Sequence, residues 1–157
     1  EKVRLNFNHP CKELIWFVQD EAELALNKHF SFGETDSKDS ILGVDRVAKA
    51  KLLLNGHDRF SEREGSYFRL VVPWTCHTRV PARHIYCYSF ALKPEDQQPS
   101  GSCNFSRIDN ASLHLEYAPK LKTGANDPDE QKKLTVYAVN YNILRIMSGM
   151  GGLAYSN

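Results

Sequence analysis

Apolar residues recur with a period of two in short runs, and turn-forming residues end each run. In Leu113-His114-Leu115-Glu116-Tyr117 three large side chains fall on one side and two polar ones on the other. That spacing fits a half-buried pleated strand and does not fit a helix, whose apolar stripe repeats every three or four residues. Val3, Leu5 and Phe7 share a face in the same way, with Arg4 and Asn6 opposite. Long helical patterning is nearly absent. Many short strands separated by turns point to an antiparallel β-sandwich or barrel.

The remaining runs fill in this picture. Residues 14–18, Leu-Ile-Trp-Phe-Val, are apolar on both faces and are expected to form a central strand covered on each side. Pro10 just before them has no N–H to give a ladder, so it is expected to break one. Residues 52–54 resume the sheet, and Asn55-Gly56 is a strong turn signal. Residues 67–72 and 85–92 are expected strands, ended by Pro73 and Pro94. Gln98-Pro99-Ser100-Gly101 places proline and glycine where a β-turn uses them. Residues 134–146 are the longest strand pattern, with Arg145 as its one charge. The total is about seven or eight strands in one domain, residues 1–157. Two stretches differ. Residues 20–51 open with Asp20 and Glu23 at capping-box spacing, for a short helix through Leu26, and continue as a long polar loop. Residues 118–130 are rich in turn formers.

Composition excludes some functions. Net charge is +1, with no basic stripe, so direct contact with nucleic acid is not expected. The longest apolar run has five residues, against roughly 20 for a bilayer-spanning helix. The chain opens on Glu1, as a processed product or a fragment would.

The chemistry-bearing residues form no recognisable catalytic set. His9, His29, His57, His77, His84 and His114 include no HxH pair and no HExxH motif, so no metal site is assigned. Asp58, Glu62 and Glu64 cluster in one loop, but Arg59 and Arg63 are interleaved with them. Local ion pairing is expected there, rather than the paired carboxylates of a glycosidase. Ser100-Gly101-Ser102-Cys103 lacks a nucleophile elbow. Gly149-Met150-Gly151-Gly152 lacks the following helix that a phosphate loop needs, and is expected to be a flexible turn before a final short strand or tail. Cys11, Cys76, Cys87 and Cys103 are expected as buried free thiols, with a Cys76–Cys87 bridge left open by spacing alone. Asn104-Phe105-Ser106 and Asn110-Ala111-Ser112 match the N-glycosylation sequon. Trp16 is expected in the core, and Trp74 at a strand end or an interface.

Four blocks resemble a known family. Residues 3–20, VRLNFNHPCKELIWFVQD, resemble the start of the second jelly roll in major capsid proteins of nucleocytoplasmic large DNA viruses. Residues 54–70, LNGHDRFSEREGSYFRL, are similar to that family's loop-and-strand block. Residues 98–115 and 136–157 resemble two later blocks, in the family's order and closest to its phycodnavirus and iridovirus branch.

The resemblance implies an all-β fold: an antiparallel jelly-roll sandwich that is the C-terminal one of two. It lacks the first jelly roll and, at its own N-terminus, an opening strand. It implies a structural part of an icosahedral virion, in which three copies form a pseudo-hexagonal capsomer assembled in the host cytoplasm over an internal membrane. The partners implied are further copies, the missing jelly roll or a companion chain, neighbouring capsomers and minor capsid proteins. No cofactor, metal, catalytic residue, nucleic-acid contact or membrane insertion is implied. Family members are often glycosylated, in some cases away from sequons, so Asn104 and Asn110 carry no assigned sugar. Arg59, Phe60, Arg63, Tyr67 and Trp74 mix arginine with aromatics, the types enriched at protein interfaces. The loop over residues 56–65 is expected to touch a neighbouring subunit or domain. A carbohydrate-binding β-sandwich of a surface protein is the competing reading, and a cupin-type enzyme the third.

Overall fold

The computed structural model describes residues 1–33, 44–118 and 132–155. Most of the loop expected over 118–130, and residues 34–43 of the loop expected over 20–51, lie outside the described residues. In chain order the strands are β1 (Lys2–Arg4), β2 (Pro10–Asp20), β3 (Val47–Leu54), β4 (His57–Asp58), β5 (Arg63–Glu64) and β6 (Tyr86–Ser89). They continue as β7 (Cys103–Asn104), β8 (Ala111–Tyr117), β9 (Lys132–Asn140), β10 (Leu144–Met147) and β11 (Met150–Leu153). Two short helices, α1 (Glu21–Ala25) and α2 (Val72–Cys76), join them. A π-helical turn, Tyr67–Val71, leads into α2, and a 3-10 turn spans Phe105–Arg107.

Every strand pairing is antiparallel. One sheet runs β1-β8-β3, and β3 pairs on its far side with β4 and β5 in succession. In the other, β2 is central. β9 pairs along almost its whole length on one side, and β6 and β7 share the other. The outer edge of β9 has no partner among the described residues. The two sheets enclose one core. Leu14, Trp16 and Val18 come from β2, Val47, Ala50 and Leu52 from β3, Leu113 and Leu115 from β8, and Tyr86 from β6. Trp16 stacks on Tyr86 at 6.1 Å and tilts against Phe68 at 5.4 Å. The outer face of β2 is apolar too, and Phe17 packs there on Phe32 at 4.6 Å. The period-two reading of residues 14–18 therefore holds on both faces.

Several expectations change. Pro10 does not end the ladder. It opens β2 and pairs with Asn104, a place where a strand needs no proline N–H. The strand expected from Leu52 starts five residues earlier, at Val47. Residues 67–72 are helical, not extended. Their aromatic and β-branched side chains favour a strand, but Phe68 and Val72, four apart, both point into the core. Pro73 beside them is pre-set for a helix start. The 134–146 strand is two strands. Asn142 separates them by accepting the Ile143 N–H on its own Oδ1 at 2.7 Å and donating from Nδ2 to the Tyr155 carbonyl at 2.9 Å. In the 98–101 region only bends form. The closing backbone bond comes earlier, from Asp96 N–H to Lys93 O at 3.3 Å.

The turn signals fare better. Asn55 and Gly56 have φ of 51° and 82°, both positive as a type I′ turn requires, and they join β3 to β4. Ser148 and Gly149, at 51° and 77°, do the same between β10 and β11. The short helix after Asp20 forms. Its Glu23 lies 2.6 Å from the Arg46 guanidinium, which also donates to the Gly33 carbonyl at 3.0 Å.

Candidate interface surface

The loop between Gly56 and Gly65 is strung along the edge of β3 rather than hanging free. Asp58 and Glu64 sit at register positions beside β3, and the acidic groups reach its lysines. Asp58 approaches Lys51 at 3.4 Å, and Glu62 approaches Lys49 at 3.4 Å. The ion pairs therefore run across to β3, and not to the interleaved arginines Arg59 and Arg63 as the sequence suggested. Strand pairing places cross-strand neighbours closer than residues along the loop. The pairs are solvent-exposed and stabilise little.

The five residues named for this surface separate into two groups. Phe60 turns inward, with its ring 4.8 Å from Tyr88 and 5.4 Å from Phe68. Tyr67 is half-buried and meets Phe68 edge-on at 5.2 Å, while the Arg63 guanidinium lies over its outer face at 4.8 Å. Arg59 is exposed and its N–H donates to the Leu52 carbonyl at 2.8 Å. Trp74, on α2, is 79% exposed. Solvent thus meets Arg59, Arg63 and Trp74, whereas Phe60 fastens the loop to its own core.

Two polar clusters hold the helical segment that presents Trp74. At its start, Asp45 lies 2.7 Å from Arg69 Nε and accepts from Arg69 NH2 at 3.0 Å. It also accepts from the Tyr86 hydroxyl at 3.0 Å. Burial, reinforced by Asp45, pushes the Tyr86 phenol well above its ordinary value, so it remains a donor. At the end, His77 stands between two carboxylates. Its Nε2 approaches Glu13 at 2.8 Å, off the line of a hydrogen bond, and its Nδ1 lies 3.1 Å from Glu95. Burial raises the Glu13 carboxyl, and His77 partly offsets this. Glu95 is held low, first by the Thr78 N–H it accepts. Trp16 and Glu13 lie on opposite faces of β2 because strand side chains alternate. The segment from Phe68 to His77 therefore wraps around β6 from the inner face to the outer one.

The six histidines are scattered, and no group of three metal-ligating side chains converges among the described residues. All four cysteines are free, so the Cys76–Cys87 bridge left open by spacing is not made. Only Cys11 and Cys87 are fully buried. Cys11 and Cys103 face each other across β2 and β7. Asn104 is exposed, accepts the Ser106 N–H at 3.1 Å, and lines a cleft of about 410 Å³ with Tyr141 and Tyr155. Asn110 is exposed, and its N–H donates to Asn55 Oδ1 at 3.2 Å.

A second exposed surface escaped the sequence reading. Leu144, Ile146, Met147, Met150 and Leu153, in the β10–β11 hairpin, are 62–74% exposed. Alternation within residues 144–147 and the Ser148-Gly149 turn were the available signals.

Comparisons with known proteins cover this whole framework. The family model described as "Large eukaryotic DNA virus major capsid protein" matches residues 1–152. The major capsid protein of Phaeocystis pouchetii virus is 39% identical over 99% of this chain and 45% of its own length. That of Paramecium bursaria Chlorella virus 1 is 40% identical over 100% of this chain and 43% of its own. That of Chrysochromulina ericina virus is 58% identical over 82% of this chain and 21% of its own. The chain thus spans less than half the length of these relatives. Among solved structures, a quasi-atomic model of the PBCV-1 virus capsid superposes with a TM-score of 0.82 at 36% identity, over all of this chain and 46% of that one. The Faustovirus major capsid protein shares the fold at a TM-score of 0.64 and 11% identity, over 89% of this chain and 31% of that one.

Proposed function

The chain belongs to the major capsid protein family of large eukaryotic DNA viruses, and from that premise we propose that it is a structural, non-catalytic component of an icosahedral capsid. The observation that carries the proposal is the match over residues 1–152 together with a jelly-roll sandwich that superposes on a capsid structure along its full length. In this reading residues 1–157 are the C-terminal jelly roll of a two-jelly-roll subunit. Three subunits form a pseudo-hexagonal capsomer, assembled in the host cytoplasm and carried in the virion. Its partners are other copies, neighbouring capsomers and minor capsid proteins, without direct contact to the genome or insertion into the membrane.

The open edge of β9 supports the reading that part of the sandwich comes from elsewhere. A jelly roll has eight strands in two sheets. Among the described residues, β1, β8, β3 and the β4–β5 ladder make four positions, while β9, β2 and the β6–β7 ladder make three. We assign the eighth position to the outer side of β9, a nine-residue strand whose outer edge has no partner among the described residues. A strand from the remaining half of the subunit, or from a companion chain, fills it.

Arg59, Arg63 and Trp74 are the exposed side chains we assign to contacts between subunits or domains. Light scattering on the full-length product tests the proposal. A mass of three chains is expected, and the Arg59→Ala/Arg63→Ala double variant is expected to weaken it. A mass of one chain at every concentration overturns the capsomer reading.

A further inference from the structure

The chain between Pro73 and His84 is lightly anchored. None of the side chains between these two residues is fully buried. Thr75 gives its hydroxyl to the Val71 and Val72 carbonyls, inside the helical segment itself. His77 reaches further. Placed at the end of α2, it stands between Glu13 on β2 and Glu95 in the turn over residues 93–96, and so ties this stretch to two other parts of the sandwich.

The three groups need a proton to sit as they do. A neutral imidazole has one N–H and one lone pair. Glu95 takes the N–H at Nδ1, 3.1 Å away. It also accepts the Thr78 N–H and hydroxyl, which hold it low and ionised. That leaves the Nε2 lone pair 2.8 Å from Glu13 Oε2. Both atoms are buried, and neither has a hydrogen-bond partner among the described residues. Two lone pairs held this close and away from water repel. A proton on either atom turns the contact into an attraction. With it the three groups carry one negative charge, and without it two.

The neighbours do not supply the missing positive charge. Lys12, next to Glu13 along β2, directs its ammonium to the Asp96 carbonyl at 3.2 Å and lies over the Tyr141 ring. Cys11 on β2, Cys76 on α2, Cys87 on β6 and Asp96 in the turn are the other titratable groups around the pair, and none is a cation. Burial raises the Glu13 carboxyl, and His77 and Lys12 offset this only in part. Glu13 and His77 therefore share a proton that belongs to the pair rather than to either residue.

We propose that Glu13, His77 and Glu95 form a proton-operated latch, closed while one proton bridges Glu13 and His77 and opened by its loss. Closed, it holds the end of α2 and residues 78–83 against β2. Open, the stretch from Trp74 to Arg83 loosens, while Phe68 and Val72 keep the start of the segment in the core. A proton held more firmly in the closed state stabilises that state in acid. The contribution is lost as pH climbs above 4.5, through the raised value of Glu13. His84, at the far end of the stretch, works the other way, because burial lowers it and acid charges it. The device is local to this sandwich and does not depend on the capsid reading.

Hydrogen exchange of the full-length product, read by mass spectrometry on peptides covering residues 74–83, tests the latch. Protection is corrected for the intrinsic exchange rate and divided by that of β8, which removes changes in global stability. Glu13→Gln keeps the shape, and its amide donates to Nε2 without a titrating proton. At pH 5.5 wild type and Glu13→Gln are expected to agree within about twofold. At pH 8.5 the variant is expected to keep about tenfold more protection, the linkage of one proton bound tenfold more tightly in the closed state. His84 is present in both, so its effect cancels. His77→Ala, checked for folding by circular dichroism, is expected to lose about tenfold in protection at pH 5.5. The proposal is overturned if Glu13→Gln and wild type share one pH profile, or if folded His77→Ala exchanges like wild type at pH 5.5.

Discussion

Gly65 is the position where one methyl group should cost most. A Cβ built there lies 2.1 Å from the Val47 carbonyl oxygen, where ordinary contact begins at 3.4 Å, a shortfall of about 1.3 Å. The obstacle is backbone on β3, so no side chain can rotate away. To admit alanine, the strand carrying Arg63 and Glu64 must separate from Ala50 and Lys49, its register partners. Overpacking of this kind costs about 1–3 kcal/mol. Losing one or two ladder hydrogen bonds adds about 1 kcal/mol each. Gly65→Ala is therefore expected to destabilise the chain by about 3 kcal/mol, a large part of a typical 5–15 kcal/mol. Gly56→Ala is the control. Its Cβ meets nothing within 4 Å, but φ is +82°, so the cost is left-handed backbone strain of about 1 kcal/mol. Urea denaturation followed by Trp16 fluorescence measures both. A Gly65→Ala midpoint within 0.5 kcal/mol of wild type, or a ranking in which Gly56→Ala is worse, would refute the packing argument at the start of the candidate interface.

Other perturbations probe separate parts of the account. Phe68→Ala empties the side chain against which Trp16, Phe60 and Tyr67 pack, and is expected to cost about 3–5 kcal/mol by the same assay. Phe68→Leu should recover much of that. Burial pushes the His84 and His114 imidazoles below their ordinary 6.5, so the unfolded chain takes up protons that the fold resists. Their contribution is complete above about pH 6.5 and is lost on acidification below it. Glu13 works in the opposite sense, since burial raises it and its ionised form weighs against the fold as pH climbs above 4.5. Calorimetry should show a lower Tm at pH 5.5 than at pH 7.5, with the gap narrowed in His84→Gln. Burial pushes the Cys11 and Cys87 thiols up to about 12. At pH 8 a disulfide reagent should leave both unmodified in the native chain and label four thiols after unfolding.

What the sequence made legible follows from how local each signal is. Alternation at residues 113–117 and the double apolar face at 14–18 translate directly into β8 and β2, because a strand's period sorts its side chains without reference to distant parts of the chain. The Asn55-Gly56 turn needs only two residues able to hold positive φ. The helical segment at 67–76 was not legible through propensity, because Tyr67, Phe68, Val71 and Val72 favour strands. The informative signal was the four-residue spacing of Phe68 and Val72 beside Pro73. Of the candidate interface, exposure decided what residue type could not. Phe60 and Trp74 are both interface-type aromatics, yet one packs inward on Tyr88 and the other faces solvent. The capsid reading came from the order of four sequence blocks and not from periodicity, which by itself reached only a β-sandwich.

The central claim is that this chain is part of a capsid-building subunit. Negative-stain electron microscopy of the purified full-length product tests it most directly. Compact blocks of three copies with a pseudo-hexagonal outline are expected. A field of single subunits at every protein concentration would contradict it.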